Sequence, residues 1–274
     1  MKNILVPVDF SKTSLNAVNY AVAFAGAVDA SLHIVNVIPP PILVDDPVLA
    51  SVLITQAELM ESHKQLMKEK IESLSKISGK NINGLVVEGP PSDIISELAG
   101  EKKADLIIMG MKGKGKSNSV FGSTATAVIR KSGFPVLLIP ENSNYQPIRN
   151  ITFASDFDPD VESESYDLLI NLADKFHVPV SVLNVQKKDA VMGTEKVIGK
   201  MNTSLALSRL RPQFHYIYEK NVEEGINEFI ENNPTDILAM IAHPHNLFER
   251  MVGTVHTKKM SYQTKTPLLI LPDK

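Results

Sequence analysis

The chain has 274 residues, 43% hydrophobic and 22% charged, enough for two ordinary cores of roughly 100–150 residues each. Its 28 lysines and arginines stand against 31 aspartates and glutamates, and a net charge of −3 supplies no field to hold DNA, RNA or an anionic membrane, so nucleic acid and lipid are set aside as partners. Cysteine is absent, which excludes disulfides and thiolate metal sites; Asp9, Ser11 and Lys12 cut short the only signal-like run, no stretch reaches the ~18–20 apolar residues of a membrane helix, and the cytoplasm is the expected location.

Residues 4–8 form a short continuous apolar run, the pattern of a strand buried on both faces of a parallel sheet. Ser11 follows as an N-cap, and Leu15, Val18, Val22 and Ala25 recur at helical spacing. Residues 32–38 make a second strand, stopped by Pro39, Pro40 and Pro41, which open an irregular stretch to about residue 49. A long helix is expected next, with Leu53, Ala57, Met60, Met67, Ile71 and Leu74 as its apolar stripe, Lys64 on the same face and Gly79 at its end. Then come a strand at 82–87, a helix at 92–102, a strand at 105–109 running straight into glycines, a helix at 120–131 and a strand at 135–139. This alternation predicts an α/β fold, a parallel sheet with right-handed helical crossovers on both faces.

The pattern is then written again. Ile4-Leu5-Val6-Pro7-Val8-Asp9-Phe10-Ser11 returns as Ile151-Thr152-Phe153-Ala154-Ser155-Asp156-Phe157-Asp158, and Phe134-Pro135-Val136-Leu137-Leu138-Ile139-Pro140 returns as Thr266-Pro267-Leu268-Leu269-Ile270-Leu271-Pro272. Second-copy strands are expected at 151–154, 180–185, 214–218, 236–241 and 268–271. Polar, turn-rich Asn142-Ser143-Asn144 marks the boundary, giving domains 1–143 and 144–274.

Ligands of open parallel sheets collect beyond the carboxyl ends of the strands, where strand order reverses. Asp9 ends the first strand and Gly110 the fourth; if these strands are neighbours, both face one crevice. The turn from Gly110 to Thr124 carries Gly113, Gly115, Gly122 and three lysines, and Gly122-Ser123-Thr124 would present unpaired amides at a helix start. Those are the parts a polyphosphate needs; a solvated surface turn is the competing reading.

With Asn36-Val37 closing strand two, Asp105-Leu106-Ile107-Ile108-Met109-Gly110, Gly122-Ser123 and Pro135 to Pro140 in order, the chain resembles the universal stress protein family in its tandem two-domain form, over nearly its whole length. The resemblance implies two five-stranded, Rossmann-like (adenine nucleotide alpha hydrolase-like) sandwiches. It also implies ATP or AMP as ligand, held by a signature of Gly, two residues, Gly, nine residues, then Gly-Ser or Gly-Thr. Asp9 would address the adenosine, Pro7 and Val8 would wall the base, and the Val37 main chain would read the adenine edge. Met109 and Gly110 would pack on base and ribose, and Gly113, Gly122, Ser123 and Thr124 would hold phosphates, with an accompanying Mg ion left open. One departure is visible: eight residues, Lys114 through Phe121, separate Gly113 from Gly122. Single-domain relatives pair through their last strands, which here implies pairing of 136–139 with 268–271 in an intrachain pseudo-dimer; a homodimer of whole chains is left open.

The second copy has Ile241 for Gly110, Pro244 for Gly113, Gly253 for Gly122 and Thr254 for Ser123, and reads as a degenerate half in which Asp156 serves as a turn and helix-capping residue. His243, His245 and His256 are either solvated loop residues or an incomplete zinc set, since a third ligand of known position is missing; the solvated reading is adopted and no metal site is assigned. No nucleophile elbow, His-Glu-x-x-His helix or Walker A motif appears, so no catalytic residue is assigned. The expected function is a stress-response protein that binds ATP or AMP in its first half as a sensor or switch toward an unidentified protein partner. The alternatives are a nucleotide-free interaction module and a slow ATP hydrolase.

Overall fold

The computed structural model of the protein describes residues 1–40, 56–78, 82–112, 121–186, 192–219, 221–242 and 265–273. The first half contains β1 (Asn3–Pro7), α1 (Lys12–Val28), β2 (Ser31–Ile38), α2 (Gln56–Ser78), β3 (Ile82–Glu88), α3 (Pro91–Glu101), β4 (Leu106–Gly110), α4 (Ser123–Ser132) and β5 (Val136–Ile139). The second contains β6 (Ile151–Ala154), α5 (Asp167–Phe176), β7 (Val180–Gln186), α6 (Thr194–Ala206), β8 (Gln213–Tyr218), α7 (Val222–Asn232), β9 (Ile237–Ala242) and β10 (Leu268–Pro272). All ten expected strands are present, with ends shifted by a residue or so.

The strands form one sheet in the order β3-β2-β1-β4-β5-β10-β9-β6-β7-β8. Neighbours are parallel within each half, and the halves join at a single antiparallel pair, with Leu138, Leu137 and Val136 opposite Leu268, Leu269 and Ile270. All six of these side chains are buried. The intrachain pairing expected from the resemblance is therefore present, and it covers two sheet edges that would otherwise invite association.

The same hydrogen-bonded frame recurs in each half. The Asp105 carboxylate accepts from the amides of Lys2 and Asn3, and the Asp236 carboxylate accepts from those of Arg149 and Asn150, at 2.8 and 2.9 Å. One core layer lies under α1, α2 and α5 around Phe24, Met67 and Leu169. The other lies under α3, α4 and α7 around Ile95, Val128 and Phe229. The boundary segment is docked: the Asn16 carboxamide donates to the carbonyls of Pro140 and Ser143 (3.0 and 2.8 Å), and Tyr145 meets Tyr20 edge-on at 5.3 Å. Phe24 of α1 in turn touches Phe176 of α5.

Three expectations are corrected. The helix expected over 120–131 begins at Ser123, because Phe121 is buried and the Gly122 amide turns back to the Met111 carbonyl (2.9 Å). On α2, Lys64 is exposed, and its neighbour His63 turns toward the sheet instead. In the second half, a short 3-10 turn (Ser163–Tyr166) precedes α5, so helix begins well beyond Asp156, whose expected capping role falls away.

Candidate functional site

β1 and β4 pair only at Ile4–Leu106 and Leu5–Ile107, then part, and their separation opens a crevice at their carboxyl ends. The crevice is a cleft of about 250 Å³. Pro7, Val8 and Asp9 line it from β1, Val37 from β2, Met109 and Gly110 from β4, and Gly122, Ser123 and Thr124 from the start of α4. Nine of the ten residues singled out from the sequence thus share one cavity; Gly113 lies outside the described residues.

The far wall was not read from the sequence. Pro39, Pro91 and Ile95 face the cleft, joined by Ser14, Val35, Lys112 and Ala125. Pro91 opens α3 as a first-turn proline, a sequence signal that fixes a helix start, but nothing local aims that start at β1.

The local geometry follows from β1 ending in Pro-Val-Asp. The ladder to β2 closes with the Val8 amide on the Val35 carbonyl (2.8 Å). Residues of a strand alternate sides, so Val37, two beyond Val35, aims its N–H and C=O at the space where β1 has stopped. An Oδ1 of Asp9 accepts from the Ser11 amide (3.0 Å), its own amide reaches Ser14 Oγ (3.3 Å), and Ser11 Oγ caps α1 by accepting from the Ser14 amide (3.2 Å). Phe10, between them, is held at φ 57°, a left-handed conformation uncommon for a phenylalanine.

The phosphate end is rearranged relative to expectation. The Gly122 amide is spent on Met111 and so is not an anion donor. No side chain caps α4 at Gly122, and the first intrahelical bond is Thr126 N–H to the Gly122 carbonyl (3.0 Å). Ser123, Thr124 and Ala125 therefore carry the first-turn amides that no carbonyl of the helix can satisfy, at the positive end of its dipole and beside Lys112.

Gly110 has a packing reason as well. A Cβ there would lie 3.0 Å from Thr13 Cγ2 and 3.2 Å from the Thr13 carbonyl, because α1 crosses directly over the end of β4. Outside the lining, Asp93 of α3 accepts from Lys131 in the last turn of α4 (2.9 Å), and that ammonium holds the Asp93 carboxyl below the usual carboxylate range. Among the described residues no group of three histidine, cysteine or acidic side chains gathers as a metal would need, and Asp9 is the carboxylate of the lining.

In the second half a small pocket of about 10 Å³ beside the end of β6 is lined by Phe153, Ala154, Ser155, Asp156, Val161, Tyr166 and Ile241, on the α5 side of the sheet. Ile241 stands at the place of Gly110, and β6 and β9 stay paired one step further, to Phe153–Ala239. Residues His243, Pro244, His245, Gly253, Thr254 and His256 lie outside the described residues. No helix among the described residues is long and apolar enough to cross a membrane.

The chain is similar in sequence and in fold to known proteins. The curated universal stress protein MJ0531 of Methanocaldococcus jannaschii is 34% identical over 139 residues, 50% of this chain and 81% of that protein. A universal stress protein of Thermus aquaticus is 31% identical over 140 residues, 50% of this chain and 98% of that protein. The crystal structure of a universal stress protein from Archaeoglobus fulgidus covers 99% of this chain and 98% of its own with a TM-score of 0.71, a likeness of fold at 15% identity. The model of the Universal stress protein family matches residues 1–140, and with those residues the chain belongs to that family.

Proposed function

We propose that the protein binds one adenine nucleotide, ATP or AMP, in the cleft of its first half, and that occupancy acts as the switch of a cytoplasmic stress-response protein toward a protein partner. The observation that carries this reading is the convergence of Pro7, Val8, Asp9, Val37, Met109, Gly110, Gly122, Ser123 and Thr124 on one cavity. The residues fit the ligand's parts. Val8, Val37, Pro39, Met109 and Ile95 make an apolar slot for a flat base, with the Val37 main chain at its edge. Asp9 is placed for ribose hydroxyls, and the Ser123–Ala125 amides with Lys112 are placed for phosphate. A Mg ion, if it accompanies ATP, would rest mainly on the phosphates, with Asp9 as the nearby carboxylate.

We assign binding rather than turnover, since among the described residues the lining offers one carboxylate and one lysine beside apolar and hydroxyl groups. The second half contributes structure.

Calorimetry on the intact chain tests the reading, with one ATP or AMP per chain as the expected stoichiometry; absence of binding by both sinks it. Ser123→Pro sharpens the test. Ser123 is the first residue of α4 and Gly122 before it is extended (φ −66°, ψ 153°), so proline fits both positions while deleting one amide. ATP affinity should fall about ten- to a hundredfold, the worth of one hydrogen bond to a charged group, while adenosine affinity stays near its original value.

A further inference from the structure

We infer that His63, on α2 and outside the cleft lining, is a positioning residue for the cleft: it fixes the carboxamide that holds the end of β1. This rests on the nucleotide reading above. The Asn36 side chain is buried and donates through Nδ2 to the Val8 carbonyl at 2.7 Å. A carbonyl can only accept, so the Asn36 amide nitrogen must face Val8 and its Oδ1 must face the other way. There it meets His63 Nδ1 at 2.7 Å, and His63 is therefore protonated at Nδ1 and donates. The Val8 carbonyl belongs to the same peptide plane as the Asp9 amide, so the strut from α2 sets the plane from which Asp9 enters the cleft. The His63 ring also meets Phe10 edge-on at 5.4 Å, bracing the left-handed residue on the other side of Asp9.

The second half shows what this arrangement replaces. Asn184 repeats the donation, to the Ser155 carbonyl at 2.7 Å, but its Oδ1 is satisfied by Gln186 Nε2 at 2.7 Å, from its own strand. Phe157 repeats the left-handed turn (φ 57°), with its ring fully buried near Phe214 and Tyr216. The second half thus completes its carboxamide locally, whereas the first, whose described residues line the cleft of about 250 Å³, recruits a helix to do so.

The test is ATP calorimetry on the intact chain carrying His63, His63→Ala or His63→Gln, with thermal melts on the same samples. Alanine suits an α2 position, and glutamine supplies the donor that Gln186 supplies in the other half. His63→Ala should bind ATP about three- to tenfold more weakly, the worth of one lost hydrogen bond, and His63→Gln should restore affinity to near the original. In nucleotide-free protein, the Asn36 side-chain amide resonances should move in His63→Ala and return in His63→Gln. An unchanged affinity in His63→Ala, or a His63→Gln variant as weak as His63→Ala, overturns the inference while leaving the nucleotide reading intact. A parent chain that binds neither ATP nor AMP overturns both.

Discussion

The two halves share a frame and differ in what fills it. Each clasps the start of its first strand with an aspartate, Asp105 or Asp236, and each ties the end of that strand to an asparagine, Asn36 or Asn184. Above that frame the first half opens a cleft of about 250 Å³ with Gly110 in its lining, at the strand position where the second half has Ile241. The frame is therefore common to both halves, and the residues at the strand ends above it differ. In the second half β6 and β9 pair one step further, to Phe153–Ala239, the helix after β6 starts late, and Tyr166 and Ile241 pack beside the end of β6.

Helix packing beside the first-strand turn gives the comparison its largest expected effect. Where α2 brings His63 against Phe10, α6 brings Gly199 against the main chain of Phe157, and a Cβ on Gly199 would lie 2.0 Å from the Phe157 carbonyl oxygen. Backbone cannot yield as a side-chain tip does, so Gly199→Ala should destabilise the protein by about 3 kcal/mol in urea unfolding. Gly26→Ala is the control. Its Cβ meets nothing within 4 Å, and in mid-helix it should gain about 0.5–1 kcal/mol. Equal effects at the two glycines would mean that α6 does not press on the turn as described.

Opening or closing the first cleft is the next test. Gly110→Ile copies the Ile241 position into the first half, setting a branched side chain against Thr13 and the crevice together. The expected result is a stability loss of about 1–3 kcal/mol with ATP binding abolished. Should ATP still bind with its original affinity, the idea that this position separates the halves is wrong.

These contrasts also mark how far the sequence could be read. Strands were legible because a parallel strand is apolar on both faces: Leu106, Ile107 and Ile108 are all fully buried, as an unbroken run implies. The cleft was legible because Asp9 and Gly110 end strands that the topology makes neighbours. What stayed hidden was tertiary. Helical periodicity cannot separate His63 from Lys64, adjacent on one flank of the α2 stripe, and only the position of Asn36 decides which turns inward. Gly110 looked like a residue cleared for a ligand, but the nearest atoms to its missing side chain belong to Thr13. The Gly122 amide likewise looked available until the Met111 carbonyl was placed beside it. Each of these depends on a contact between segments whose meeting no local pattern encodes.

The smallest effect near neutral pH concerns the seam between the halves, and it asks whether they behave as one body. Tyr20 of α1 is nearly inaccessible, and burial first, then Tyr145 and Asp236, raise its pKa above the ordinary tyrosine value of 10. A raised folded pKa means the folded state holds its proton more tightly than the unfolded chain, so this contribution is complete below pH 10 and is lost as pH climbs through the folded value. Stability should accordingly be flat across neutral pH and fall above pH 10. Tyr20→Phe should flatten part of that alkaline fall while changing neutral-pH stability by no more than about 1 kcal/mol, read by urea unfolding at a series of pH values. Because Asp236 belongs to the second half, and because Phe24 touches Phe176 across the seam, the alkaline loss should appear in both halves as a single transition. Two separate transitions, with only the first moved by Tyr20→Phe, would mean that the shared sheet does not couple the halves.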